Sequence, residues 1–185
     1  MFWRNLTKLI AVAAFFAFCY AMLARVIGHA SPWLGLLAMF YFMGLAKVAE
    51  PLFVLRLPRS LRAVDPALSD RPWYRRLGVG GFGDLLRDTP LRYLNNTVYR
   101  STGRRSLAAL RRQVESAEAT HFWAALLFTA YIVYVAWRGF WIEALVFVAV
   151  QIAFNVYPIL HLRAVRARLA RLGTSDGAGG AVSPV

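Results

Sequence analysis

Residues 111–160 read RRQVESAEATHFWAALLFTAYIVYVAWRGFWIEALVFVAVQIAFNVYPIL, and within them a basic polar segment gives way to two apolar runs. The runs cover about 117–137 and 141–160 and are separated by Arg138 to Phe140. Each approaches the roughly 20 residues a helix needs to cross the hydrocarbon core of a bilayer, so the stretch predicts a transmembrane hairpin. Trp and Tyr lie near the ends of both runs, as expected at a membrane interface. Glu115, Glu118 and His121 sit where the polar part ends. At about 100° per residue, Arg111, Glu115, Glu118 and Phe122 share one helical stripe, with His121 a turn from Glu118 on its flank.

The rest of the chain agrees with that hairpin. With 59% hydrophobic residues, 15% aromatics and a mean hydropathy of +0.48, the chain carries more apolar surface than one soluble core buries. Residues 7–28 form a first apolar run, too long for the hydrophobic part of a signal peptide, and 28–32 lead straight into a second. That second run, 33–55, carries Lys47 and Glu50 at i, i+3. Ionisable groups at that depth either face an interior site or pair and snorkel to the surface. The expected architecture is all-α: an integral membrane bundle of four transmembrane helices forming one membrane domain over 1–172, followed by a disordered tail at 173–185.

Between the second and third runs, residues 56–116 hold thirteen arginines, four of the eight prolines and the sequence GVGGFG at 78–83. Short amphipathic helices on the bilayer surface are the economical reading, with Trp73, Tyr74, Leu77, Phe82, Leu85 and Leu86 dipping in. GVGGFG has no preceding strand to make it a dinucleotide fingerprint and reads as a flexible turn. The net charge of +13 lies mainly in this segment and in the C-terminal one, beside apolar runs. That placement favours anionic lipid headgroups over nucleic acid, for which no recognition motif is present. Both termini and the middle segment are basic, whereas the short connections contribute only Arg138, so a multi-pass plasma-membrane protein with both termini cytoplasmic is expected. One cysteine, Cys19, excludes an internal disulfide, and the histidines His29, His121 and His161 show no metal-ligand spacing.

Two groups of polar residues ask for an explanation. A histidine beside a carboxylate, as with His121 and Glu118, is what a general base needs to activate an alcohol for attack on a thioester. The same residues also suit an ordinary helix entry in which Arg111 and Arg112 pair with Glu115. In the fourth run Gln151 and Asn155 stand at i, i+4, with His161, Arg163 and Arg166 beyond them. They either join helices through amide hydrogen bonds or line a pocket whose mouth takes a phosphate or carboxylate.

Trp73-Tyr74-Arg75-Arg76-Leu77, the glycine-rich segment after it, Glu118-Ala119-Thr120-His121-Phe122-Trp123, and Asn155 followed by Pro158, Arg163, Arg166 and Arg168 together resemble the glycosyl-4,4'-diaponeurosporenoate acyltransferase family. The resemblance runs from about 73 to 169. Gly78 stands where the family has proline, Pro158 comes one position late after Asn155, and Leu162 replaces a glutamine. The resemblance implies a membrane enzyme that moves a fatty acyl group from a thioester donor to a hydroxyl of a glycosylated isoprenoid or other lipid. It implies His121 as base and Glu118 as its orienting carboxylate, with Trp73, Arg76, Asn155, Arg163 and Arg166 on the substrate side, which Gln151, Lys47 and Glu50 join only on their polar character within apolar runs. Arg76, Arg163 and Arg166 would neutralise an acyl-CoA or an acyl carrier protein. No resident cofactor or metal is expected. The alternatives are another enzyme of polyprenyl-phosphate or glycolipid modification, and a non-catalytic membrane subunit.

Overall fold

In the computed structural model, residues 2–49, 55–89 and 107–178 are described, and all regular structure among them is helical. Helix α1 spans Phe2–Ile27, α2 Trp33–Ala49, α3 Arg59–Arg62, α4 Pro72–Arg76, α5 Val79–Asp88, α6 Leu107–Trp137, α7 Trp141–Gln151 and α8 Tyr157–Ala178. A 3-10 turn at Leu68–Asp70 precedes α4, and a π-helical segment at Ile152–Val156 joins α7 to α8. Three stretches are long and apolar enough to cross a membrane, namely Trp3–Ile27, Leu107–Trp137 and Trp141–Leu172. They mark a membrane protein. Helix α2 is also apolar, and its 17 described residues cover about 25 Å at 1.5 Å per residue. Glu50 and the rest of the expected second span through 54 lie outside the described residues, as do 90–106 and 179–185.

The chain divides into two compact units, the first made of residues 1–56 and 119–156. Its short connections turn on left-handed glycines, Gly28 (φ 86°) and Gly139 (φ 87°), a conformation open to glycine without steric penalty. The core is Met39, Phe128, Ile132, Val135, Ala144 and Phe147, with Trp33 edge-on to Phe147 at 5.3 Å. Tyr131 lies flat on Gly35, where a Cβ would stand 2.0 Å from the ring, and its hydroxyl donates to the Pro32 carbonyl at 2.9 Å. A residue without a side chain is what allows that approach. Val133, Ile142 and Leu145 remain 63, 77 and 71% exposed, an apolar exterior that suits lipid rather than water.

The second unit comprises residues 57–118 and 157–185. Its core has two parts: Tyr74 and Val79 against Ala164, and Val114 against Leu162 and Leu169. The segment from 55 to 71 makes few helical hydrogen bonds, so its carbonyls need other donors. Arginines of α8 provide them: Arg163 donates to Leu61 O at 3.1 Å, Arg166 to Arg62 O at 2.5 Å and Arg171 to Pro66 O at 2.5 Å.

Three expectations about this region change. GVGGFG does not form a flexible turn. Gly78 ends α4 with φ 68°, and the other glycines belong to α5, held as a helix by Val79 in the core and by Phe82 packing on Tyr157 at 5.4 Å. Packing here outweighs the weak helix propensity of glycine. Tyr74 and Phe82 therefore pack inward, while Trp73, Leu77 and Leu85 stay exposed. Residues 173–178, read as part of a disordered tail, continue α8.

Candidate active site

In the first unit, a chain of polar side chains crosses an otherwise apolar interior. Gln151 donates to Ala125 O at 2.8 Å and to Thr129 Oγ1 at 2.9 Å. Asn155, one helical turn on, donates to Gln151 Oε1 at 2.6 Å and lies 3.3 Å from the Met39 sulfur. Asn155 is fully buried and Gln151 nearly so. Both amides thus join helices, one of the two roles open to them on sequence grounds.

His121 closes this chain. Its imidazole lies beside the Asn155 side chain and the Phe154 backbone, within range of the Lys47 charge. Pro158 has no N–H to offer the carbonyl four residues before it, that of Phe154, and the π-helical widening at 152–156 falls at this point. His121 Nδ1 and Asn155 Oδ1 are both buried without a hydrogen-bond partner. The two side chains are within interaction range of one another, so each atom can be met by the other or, since buried polar atoms are nearly always paired, by a further group.

Met39 also lines a cavity of about 500 Å³ in which Leu34, Phe42, Leu127 and Phe128 are joined by the polar His29, Ser31, Tyr134 and Arg138. Asn155 touches Met39 but is not itself among the residues that line this cavity. Trp123, two residues beyond His121, donates its indole N–H to Arg56 O at 3.0 Å.

Glu118 belongs to the second unit, and its partners are arginines. Arg166 Nη1 is 2.6 Å from Oε2 and Arg163 Nε 3.9 Å from Oε1, with Glu118 only 1% exposed. The two guanidiniums are at the same time bound to Arg62 O and Leu61 O. Glu115 meets Arg62 at 3.8 Å, and Arg111 donates to Leu169 O at 2.5 Å, instead of the expected pairing of Arg111 with Glu115. Tyr74, whose hydroxyl donates to Leu160 O, is pushed up to about 12, mainly by burial and then by the Glu118 charge.

The residues expected to form one site thus fall into separate settings. His121, Gln151, Asn155 and Lys47 belong to the first unit. Glu118, Arg163 and Arg166 form a satisfied ion cluster in the second. Trp73 is exposed and packs edge-on to Tyr74 at 5.3 Å, Arg76 is exposed at the end of α4, and Glu50 is outside the described residues. Sequence reasoning missed Thr129 and Met39. A lone hydroxyl and a thioether in apolar helices give no periodic signal that singles them out.

Membrane-length helices around His121 and the buried Gln151 and Asn155 define a helical membrane protein with a polar cluster in its interior. A family model described as glycosyl-4,4'-diaponeurosporenoate acyltransferase matches residues 58–174. The chain belongs to that family. The match contains Glu118, His121, Gln151, Asn155, Arg163 and Arg166, whereas Lys47 and Glu50 precede it. No curated protein and no solved structure matches the chain.

Proposed function

We propose that the protein is an integral membrane acyltransferase that moves a fatty acyl group from a thioester to a hydroxyl of a glycosylated isoprenoid or other lipid. The observation that carries this reading is the unmatched pair of buried atoms, His121 Nδ1 and Asn155 Oδ1, inside the region matched by an acyltransferase family. His121 is the general base. It takes the proton of the acceptor hydroxyl as the oxygen attacks the thioester carbonyl, and returns it to the thiolate when the tetrahedral intermediate collapses. Asn155 orients the imidazole or the acceptor from the adjacent turn. The stretch of the cavity walled by Met39, Leu34, Phe42, Leu127 and Phe128 takes a lipid chain.

Glu118 has a different role in this proposal from the orienting carboxylate of the sequence reading. Its oxygens are committed to Arg166 and Arg163, so it is a positioning residue that fixes α6 and α8 within the second unit. Four spans with both termini and the middle segment cytoplasmic are supported by the basic charge of 56–116, against the single Arg138 of the short connections. The reaction then faces the cytosol, where thioester donors are made.

Lipid profiling of a strain lacking the gene tests the reading. A glycosylated lipid without its acyl group should accumulate, and its acylated form should disappear. An unchanged lipid profile, or accumulation of a phosphate-linked precursor, would contradict the assignment.

A further inference from the structure

The arginines of the second unit are unevenly committed. Arg62, Arg111, Arg163, Arg166 and Arg171 are held by backbone carbonyls or carboxylates. Arg59, Arg76 and Arg112 have neither a carboxylate nor a carbonyl partner among the described residues, and the same holds for the exposed Arg75 and Arg168. These last two line one cavity of about 690 Å³, together with His161 and Arg87. Three arginines there face one carboxylate, Asp84, which Arg87 already holds at 2.5 Å.

The glycines of 78–83 form another wall of this cavity. A Cβ at Gly78, Gly80 or Gly81 would meet nothing within 4 Å, so main chain stands bare to whatever fills the space. Gly83 differs: a Cβ there would lie 2.8 Å from His161 Cε1 and 3.0 Å from Nδ1, and only its absence lets the imidazole rest against α5. The segment thus combines two uncommitted guanidiniums from α4 and α8 with open backbone and a histidine, in a volume typical of small-molecule sites. Guanidinium forks suit phosphate oxygens, and two of them on separate elements suit a ligand carrying more than one phosphate.

We propose that this cavity binds the phosphate groups of coenzyme A as the acyl carrier. The inference rests on the acyltransferase reading and assigns the donor's phosphates to Arg75 and Arg168 rather than to Arg163 and Arg166. A lipid headgroup phosphate offers similar chemistry, and a comparison of neutral with anionic bilayers separates the two sources.

The test measures binding of coenzyme A, 3'-dephospho-coenzyme A and inorganic phosphate to the full chain in nanodiscs of neutral phosphatidylcholine. A second set of nanodiscs contains phosphatidic acid. Coenzyme A should bind most tightly, and Arg75→Gln and Arg168→Gln should each weaken it by about tenfold or more, the scale of one lost charge-assisted contact. Thermal midpoints should not move, because neither side chain holds another residue among those described. Phosphatidic acid should leave the affinity for coenzyme A unchanged.

Equal affinity in the wild type and both variants would overturn the proposal. So would loss of coenzyme A binding in phosphatidic acid nanodiscs, which would give the site to a headgroup, or acyl transfer that proceeds only from an acyl carrier protein. The two readings fail separately. Arginine-dependent binding without acyl transfer from any thioester keeps the site and removes the acyltransferase reading. Acyl transfer from a coenzyme A thioester that neither variant slows does the reverse.

Discussion

The two units handle buried polarity in opposite ways. In the second, guanidiniums of α8 satisfy the carbonyls of an irregular segment and the carboxylate of Glu118, so that burial and pairing go together. In the first, amides form a ladder across an apolar interior and leave His121 Nδ1 and Asn155 Oδ1 without partners. A fully paired cluster stabilises a framework, whereas unpaired buried atoms cost stability and are retained where a ligand meets them. The difference separates the framework of this protein from its candidate chemistry.

The contrast can be broken by substitution. Glu118→Gln leaves Arg166 and Arg163 facing a neutral amide in a buried setting, and loss of one partner from such a pair costs about 3–5 kcal/mol. Asn155→Ala removes the hydrogen bond to Gln151 and costs about 1–3 kcal/mol. Thermal unfolding in detergent should therefore rank Glu118→Gln well below Asn155→Ala, and the reverse order would contradict the division of roles.

A smaller effect sharpens the same point from the second unit. The Tyr74 phenol is raised from 10.0 to about 12, which means that the folded state favours its neutral form. Its contribution is fully present below pH 10 and is lost as the pH rises towards 12. Relative to Tyr74→Phe, the wild type should lose stability across that window. Parallel curves would show that the hydroxyl is not held in the buried setting described.

Much of this division was legible in the sequence. Apolar runs of membrane length gave the long helices, and the order of Glu118, His121, Asn155 and the α8 arginines gave the family. The assignment of partners was not legible. Glu118 and His121 share a helix at i, i+3, but whether Arg166 or an imidazole receives the carboxylate depends on elements far apart in the chain. GVGGFG misled because glycine's local preferences favour a turn, while the packing of Val79 and Phe82 on α8 holds a helix. Arg75 and Arg168 could not be told from the other arginines until the cavity that they line was known.

In the proposed function His121 performs the proton transfer of an acyl transfer. That role is tested most directly by following labelled acyl groups from a thioester into membrane lipid with the wild type and His121→Ala, both purified in nanodiscs and matched for thermal midpoint. General-base catalysis by a positioned side chain contributes roughly 10²–10⁴-fold, so the variant should lose acyl transfer by at least the lower of these factors while remaining folded. Acyl transfer at the wild-type rate by folded His121→Ala would contradict the account.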